Sequence, residues 1–231
     1  MKNDVIPHLS IDNELFKITH NSFNSPLNSL IQYAEELKFN KGQILFNVGN
    51  IARGFYMIDS GEIKVSKFGV DGKEQIIKIL SKGDFIGHEA LLNDHRFHEY
   101  TEVLKDADIL YVSGEDFKKV VDNDPALMNF LVQDLCNSLN KVEDKLVSSA
   151  YEPVRGRLAA MLLELNTIYA KDNNSEITLS RADLAKLIGT AKETSIRLLS
   201  EFKSENLVDL HDHYIIIKDM KALNRIAQMY K

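Results

Sequence analysis

The stretch from Ser180 to Phe202 constrains the fold more than any other part of the chain, because one glycine separates two helical apolar patterns. Ser180 stands where an N-cap hydroxyl would accept hydrogen bonds from the free amides of a first helix. Ala185 supplies the small residue that a close helix crossing needs, and Gly189 permits the left-handed backbone of the turn. The positions expected to face inward and hold the two helices together are Leu184, Ile188, Leu198, Leu199 and Phe202. The pattern predicts a helix-turn-helix.

The second helix of this motif is predicted to begin near Ala191 and to present its first turns outward. Arginine and lysine can donate to guanine N7 and O6 in the major groove of DNA, and glutamate can accept from cytosine N4. We therefore expect three residues to read bases: Lys192, Glu193 and Arg197. Four others are expected to bind phosphates and set the register: Arg181, Thr190, Thr194 and Ser195. Alternatively, Glu193 and Arg197 form an ordinary surface ion pair one helical turn apart.

The elements around this motif are predicted to complete a winged arrangement. A helix is expected from about Val154 to Ala170, followed by a polar loop at 171–175 and a short β piece. Residues 207–210 and 214–217 are predicted to form a hairpin, the wing. Asp219 is then expected to cap a final helix.

Upstream, the chain carries short β-type runs in place of helical periods. These runs lie at 43–46, 54–58, 61–66, 74–80 and 108–112, and a helix is predicted before them over 26–37. Asp71-Gly72 separates two of the runs and is a strong hairpin signal, because a type I′ turn needs positive φ at both central positions. Many short strands punctuated by glycine indicate a β-sandwich or a jelly-roll barrel.

A long helix is predicted to follow the strands. It would begin at Asp124-Pro125, since proline in the first helical turn forfeits no needed hydrogen bond. Apolar residues then recur three or four apart, and the predicted dimer seam comprises Leu131, Leu135, Leu139, Val142 and Leu146. Alternating steps of four and three are typical of a coiled coil, so we expect a parallel homodimer. The alternative is a helix that packs only on its own barrel.

Together these patterns predict an α+β chain in three parts. They are an N-terminal region with a β barrel (1–123), a dimerisation helix (124–151) and a winged helix-turn-helix domain (152–231). The net charge of −6 does not exclude a DNA partner, because about 12 basic and 11 acidic residues lie from Tyr151 onward and the acidic excess lies upstream. DNA affinity depends on where cations lie.

Cys136 is the only cysteine. A single cysteine excludes an intramolecular disulfide, a four-cysteine zinc site and an iron–sulfur cluster held by the cysteines of one chain. Because Cys136 falls in an apolar helical pattern, we expect it to be a small buried hydrophobe. No apolar run approaches the roughly 20 residues of a membrane-spanning helix, and residues 1–10 do not resemble a secretion signal. A cytoplasmic location is expected, with no membrane partner.

The stretch 178–185, followed by Gly189-Thr190-Ala191-Lys192-Glu193-Thr194-Ser195-Ile196-Arg197, resembles the recognition motif of the cAMP receptor protein/FNR (CRP/FNR) family of transcription regulators. Residues 56–63 and 83–87 resemble the barrel signature of the same family. The resemblance implies a jelly-roll sensor barrel, a dimerising helix, a winged-helix DNA reader and RNA polymerase as a partner. It also implies a palindromic, G-A-rich half-site. Lys192 replaces the first arginine of the family's motif, which changes the expected half-site.

The effector site of the family does not carry over. Cyclic-nucleotide binders offer a glutamate after Phe-Gly and later an Arg-Ser or Arg-Thr pair, whereas this chain has Gly87-His88-Glu89 and Phe97-His98-Glu99 there. Arg96 lies close but out of register, and Val142 and Glu143 occupy the adenine-binding positions. The candidate effector pocket is therefore His88, Glu89, Arg96, His98, Val142 and Glu143. Two interpretations stay open for the barrel: control by a small-molecule effector other than cAMP, such as another small anion, or a barrel that has lost its ligand.

Other interpretations stay open at this point. His88, His95 and His98 cluster in the sequence, which keeps a haem or metal sensor in view, although no metal site is predicted. A cupin-type enzyme is disfavoured because Glu99 adjoins His98 instead of lying several residues on. No nucleophile–base constellation or glycine-rich phosphate loop is present, so we predict that the chain is not an enzyme. A ligand-binding or scaffolding barrel without DNA function is the remaining alternative.

Overall fold

The computed structural model describes residues 25–170 and 176–229, and the polar loop predicted at 171–175 lies outside them. The chain divides into two compact units. One unit contains Met1–Ile63, Leu80–His98 and Glu102–Val132, and the other contains Lys64–Ile79, Glu99–Thr101 and Gln133–Lys231. No helix in the described part of the chain has the length and apolarity needed to cross a membrane.

The N-terminal part is built from strands. They are β1 (Glu35–Phe39), β2 (Gly54–Ile58), β3 (Glu62–Phe68), β4 (Glu74–Leu80), β5 (Phe85–Ile86), β6 (Tyr100–Lys105) and β7 (Ala107–Ser113). One sheet has the order β1-β7-β2-β5 and the other β4-β3-β6. In the first sheet Phe55 lies opposite Val112 and Met57 opposite Leu110, and all four side chains are buried. The predicted N-terminal β domain is therefore confirmed.

The hairpin between β3 and β4 turns where the sequence predicts. Gly72 has φ 70°, a left-handed backbone that glycine adopts without strain. The Gly69 amide donates to the Lys73 carbonyl over 2.9 Å and closes the turn.

Two predictions at the start of the chain are wrong. The helix expected over 26–37 is only a 3-10 turn followed by α1 (Asn28–Ile31), and β1 begins at Glu35. Leu37 of β1 pairs with Ile109 of β7. The backbone groups that we expected to form helical hydrogen bonds therefore form hydrogen bonds within a sheet. The strand expected at 43–46 is reduced to one bridge between Ile44 and Glu102 of β6, a strand that we did not predict.

Helix α2 (His88–Leu92) lies between β5 and β6, and α3 (Gly114–Asn123) and α4 (Pro125–Tyr151) follow β7. The long helix α4 begins where the sequence predicts. The Asp124 carboxylate accepts hydrogen bonds from the Ala126 and Leu127 amides at 3.0 and 3.1 Å, which satisfies two of its free amides.

Two predictions about the interior of α4 need correction. Leu131 is completely buried within its own subunit, so it cannot contribute to a seam between two subunits. Cys136 is exposed, not the buried hydrophobe that we expected. Cys136 lies outside the buried face of the helix. In the second half of α4 an apolar face is exposed to solvent, and it contains Leu139, Val142 and Leu146.

The C-terminal elements match the predicted order. They are α5 (Val154–Ala170), β8 (Glu176–Ile177), α6 (Arg181–Ile188), α7 (Lys192–Ser204), β9 (Val208–Leu210), β10 (Ile215–Ile217) and α8 (Met220–Gln228). The strands form an antiparallel sheet in the order β8-β10-β9, and β9 and β10 form the predicted wing hairpin. Asp219 caps α8 by accepting from the Ala222 amide at 2.9 Å, as predicted.

Candidate nucleic-acid interface

The first helix of the motif, α6, is fixed at both ends by its own sequence. The Ser180 hydroxyl accepts from the Asp183 amide at 3.0 Å and donates to the Asp183 carboxylate at 2.6 Å. At the other end Gly189 adopts φ 67°, ψ 52°, and Ala185 is buried. The N-cap, the left-handed turn and the small buried residue are all confirmed.

The second helix, α7, presents one face to the protein interior. Leu198, Leu199 and Phe202 are buried there, as the apolar pattern predicts. Ser195 is buried on the same face, and its hydroxyl has no hydrogen-bond partner among the described residues. The prediction that Ser195 contacts a phosphate is therefore wrong, because its side chain points inward, one turn before Leu199.

The opposite face of α7 is open. Lys192, Glu193 and Arg197 are exposed in its first two turns, and Thr190 and Thr194 are half-buried beside them. Arg197 forms an ion pair with Glu201 at 2.5 Å, one turn further along the helix, and not with Glu193. The alternative pairing of Glu193 with Arg197 is absent from the structure.

Arg197 belongs to a chain of charges that reaches the start of α5. Glu201 also lies 3.3 Å from a guanidinium nitrogen of Arg155, and the other terminal nitrogen of Arg155 donates to Glu205 at 2.7 Å. The Arg155 guanidinium stacks over the Phe202 ring at 4.7 Å. These contacts hold α7 against α5 and fix the direction in which Arg197 leaves the helix.

Arg181 holds the wing. Its guanidinium donates to the carbonyl oxygens of His211 and Tyr214, at 3.0 and 3.4 Å. Burial lowers the pKa of the Arg181 guanidinium. In the structure this guanidinium donates to two wing carbonyls. A contact between Arg181 and a DNA phosphate stays a prediction.

The wing carries an aromatic stack and side chains of both charge signs. The His211 and Tyr214 rings stack at 4.3 Å across the turn. Lys218 lies 3.3 Å from Asp209, and its hydrogen bond is the main cause that lowers the pKa of that carboxyl. His213 is exposed at the tip of the wing.

A polar cluster on the β3–β4 hairpin contacts the helix-turn-helix within the same compact unit. The Lys186 ammonium of α6 lies 2.6 Å from the Glu74 carboxylate, and Lys64 lies 3.1 Å from that carboxylate and 3.8 Å from Asp183. The Gln75 side-chain amide donates to the Lys186 carbonyl. Sequence reasoning missed this contact, because no local pattern links residues more than 100 positions apart.

The predicted effector residues of the N-terminal unit have different surroundings. His88 is 1% exposed and packs against Phe85 at 5.0 Å between ring centroids, so α2 directs it into the core. His98 is exposed and pairs with Asp94 at 2.9 Å. Glu89 is half-buried, and Val142 and Glu143 lie exposed on α4. Arg96 lines a cavity. The inward direction of His88 counts against its effector role, and the rest of the pocket predicted from these residues stays a prediction.

Metal binding receives no support from the described histidines. Residues 25–170 and 176–229 contain no group of three or more His, Cys, Asp or Glu side chains arranged to hold a metal ion. His95 has a left-handed backbone, φ 57°, at the exposed turn that precedes Arg96.

Comparisons with known proteins agree with this geometry. Residues 36–124 match the cyclic nucleotide-binding domain, and residues 156–226 match the Crp-like helix-turn-helix domain. The chain is 27% identical over 212 residues to the fumarate and nitrate reduction regulatory protein of Vibrio cholerae, across 90% of this chain and 84% of that protein. It is 23% identical to the cAMP-activated global transcriptional regulator CRP of Pasteurella multocida, across 85% of this chain and 96% of that protein.

The fold resembles solved structures at the same level. The structure of FixK2 from Bradyrhizobium japonicum matches with a TM-score of 0.75 and 21% sequence identity, covering 84% of this chain and 96% of that one. The c-di-GMP responsive global regulator CLP of Xanthomonas campestris matches with a TM-score of 0.71 and 16% identity, covering 84% of this chain and 98% of that one. At these identities the likeness establishes the fold.

Proposed function

The chain belongs to the CRP/FNR family of DNA-binding transcription regulators, which are not enzymes, and we propose that it works as a homodimer on a palindromic DNA site. In this proposal Lys192, Glu193 and Arg197 read base edges in the major groove, and Thr190 and Thr194 bind phosphates. RNA polymerase is the proposed protein partner, and the cytoplasm the proposed place of action.

One observation carries the proposal. The inner face of α7 is buried by Leu198, Leu199 and Phe202, so the three proposed base-reading side chains project outward from its N-terminal half. A recognition helix contacts bases with the residues of its N-terminal turns. The ion pair with Glu201 engages one terminal nitrogen of Arg197, and the other N–H groups at the edge of the guanidinium can donate to guanine.

The proposed homodimer rests on the second half of α4. Leu139, Val142 and Leu146 are 58%, 54% and 71% exposed in one subunit, which is unusual for three large apolar side chains on one helix face. Two such faces, paired about a two-fold axis, would bury one another as a coiled-coil seam. Two recognition helices about one DNA turn apart, roughly 34 Å, would then fit a palindrome.

The proposed effector is a small molecule other than cAMP. Glu99, which stands where the family resemblance expects a phosphate-binding side chain, is half-buried and lies 3.7 Å from Lys67. A second carboxylate, Glu143, occupies a position that offers a hydroxyl to adenine in cAMP sensors. Carboxylates repel a phosphate and cannot donate to an adenine nitrogen. Pro153, between the end of α4 and the start of α5, is the proposed hinge through which the effector acts.

The experiment that tests DNA reading starts from random DNA. Selection with the purified chain should enrich a palindrome, and Arg197→Ala should weaken binding to that palindrome by about 10-fold or more, because a bidentate arginine–guanine pair contributes roughly 1–3 kcal/mol. Arg225→Ala is the matched control, since Arg225 is exposed on α8, away from the motif. Absence of any enriched sequence, or equal weakening by both variants, would reject the proposal in favour of a scaffolding role.

A further inference from the structure

A cavity of about 540 Å³ opens on the N-terminal unit. Two chain segments frame it, one before β2 and one before β6. Their backbones are joined by hydrogen bonds from Gly49 to the Phe97 carbonyl at 2.8 Å, from Phe97 to the Asn50 carbonyl at 3.0 Å, and from Ala52 to the His95 carbonyl at 2.8 Å. The frame is therefore preformed, and its volume lies in the range of small-molecule sites.

The floor of the cavity is aromatic. The Phe46 and Phe97 rings stack in parallel, 3.6 Å apart and 8° from coplanar, and both are buried. The Tyr56 ring lies 5.9 Å from Phe46 and 6.5 Å from Phe97, so three rings form one continuous surface. Such a surface favours a flat ring over an aliphatic chain, because ring faces and edges attract one another beyond simple burial.

The rim of the cavity is cationic. Arg53 and Arg96 both line it, and none of the described lining residues is acidic. Arg96 is oriented by one hydrogen bond to the Gly49 carbonyl at 2.9 Å, which leaves further guanidinium donors available. The Arg53 side chain is exposed and forms no ion pair with residues 25–170 and 176–229.

The tyrosine in the floor adds a neutral donor. Burial raises the pKa of Tyr56 to about 12, with Tyr111 contributing in the same direction and Arg53 opposing it. The hydroxyl therefore remains protonated at neutral pH and can donate a hydrogen bond. An aromatic floor beneath two guanidinium groups and a hydroxyl donor complements a ring that carries an anionic group.

We propose that this cavity is a binding site for a small organic anion with a flat aromatic or heteroaromatic body. The ring would lie on Phe46, Tyr56 and Phe97, and Arg53 and Arg96 would bind the carboxylate, sulfonate or phosphate. The site differs from the six effector residues inferred from the family resemblance, of which it contains only Arg96. It deepens the proposed small-molecule control and rests on the proposed function only for its effect on DNA.

The test uses two fluorescent probes that differ in one group. Anilinonaphthalene sulfonate carries a fused aromatic ring and an anion, and phenylnaphthylamine is its neutral analogue without the sulfonate. The full chain should bind the sulfonate at one saturable site, and the double variant Arg53→Gln, Arg96→Gln should bind it about 10-fold or more weakly, because a charge-assisted hydrogen bond is lost at each position. The affinity for the neutral analogue should not change between the two proteins.

Arg225→Gln is the matched control and should bind both probes as the unmodified chain does. Both arginines of the double variant are exposed, and unchanged thermal unfolding will confirm that the barrel remains folded. Equal affinity of all three proteins for the sulfonate, or no saturable binding, overturns the site. DNA binding by the unmodified chain, measured without probe, provides a separate readout. If the unmodified chain does not bind DNA, the proposed function is rejected, whereas the probe-binding result still stands.

Discussion

The Lys186 ammonium lies 2.6 Å from the Glu74 carboxylate, and this ion pair joins the first helix of the helix-turn-helix to the β3–β4 hairpin. Lys64, whose side chain is 7% exposed, approaches the same carboxylate at 3.1 Å, and the Glu74 side chain is 12% exposed. The Ser66 hydroxyl donates to it at 2.8 Å. The Glu74 carboxylate is therefore largely buried, and three donors replace the hydrogen bonds that water would give it.

Glu74→Gln should therefore destabilise this contact. Gln keeps the size of the side chain but removes the charge, which weakens the electrostatic attraction to the Lys64 and Lys186 ammonium groups. We expect the free energy of unfolding to fall by about 1–3 kcal/mol in urea titrations, with faster amide exchange in α6. Asp71→Asn, at the exposed tip of the same hairpin, is the control and should change little, because exposed pairs contribute little. Equal stability of the two variants would contradict the importance of the cluster.

The same contact should weaken in acid. Burial alone would raise the pKa of Glu74, but hydrogen bonds from Lys186, Ser66 and Lys64 outweigh it and hold the pKa below the ordinary 4.5. A depressed carboxyl pKa gives stability that is present above the ordinary value and is lost as the pH falls through the lower folded value. The difference in unfolding free energy between the unmodified chain and Glu74→Gln should thus be largest near neutral pH and shrink below pH 4.5. A difference that stays constant across this range would show that charge is not its cause.

The sequence predicted most of the local structure and few of the contacts between residues that lie far apart in the chain. Ser180, Ala185 and Gly189 each act on backbone within a few residues, so the cap, the crossing and the turn follow from spacing alone. The contact between Glu74 and Lys186 joins residues 112 positions apart, and no periodic signal encodes it. The effector role expected of His88 failed for a related reason, because the family resemblance aligned this residue without its side-chain direction.

Ser195 illustrates a failure within the motif itself. Its hydroxyl type suggested a phosphate contact, but helix phase places it two turns before Phe202, on the buried face. The spacing to Leu198, Leu199 and Phe202 could have revealed this, since residues three, four and seven positions apart share a helix face.

Ser195→Ala should consequently stabilise the protein. The substitution removes a buried hydroxyl that has no hydrogen-bond partner in the described structure, and we expect about 1 kcal/mol higher unfolding free energy. DNA affinity should stay unchanged, as measured by fluorescence anisotropy on the selected palindrome. Thr194→Ala, one residue earlier and half-buried at the surface, should instead lower DNA affinity several-fold through loss of a phosphate contact. Loss of DNA affinity in Ser195→Ala would reinstate the original assignment.

The apolar seam on α4 also requires a shift in its starting residue. Leu131 is buried in its own subunit, whereas Val132, seven positions before Leu139, is exposed. Seven residues return to nearly the same helix face, so Val132 continues the face of Leu139 and Leu146. Counting seven residues back from Leu139 identifies Val132 as a seam position. We began the seam at Leu131 instead, because the four residues between Leu131 and Leu135 also fit a helical spacing.

Substitutions at two valines of α4 can show whether its exposed apolar face forms a dimer seam. Val142 and Val147 are 54% and 59% exposed, but five helical positions place them about 140° apart around the axis. Val142→Glu should place a carboxylate of each subunit in the seam and convert the dimer to monomers in sedimentation velocity, because two like charges would be desolvated against one another. Val147→Glu introduces the same residue with similar helix propensity outside the seam and should leave the dimer intact. If both variants dissociate, the interface is broader than one face of α4. If neither does, the two subunits associate through some other surface, and the spacing of the recognition helices must be set there.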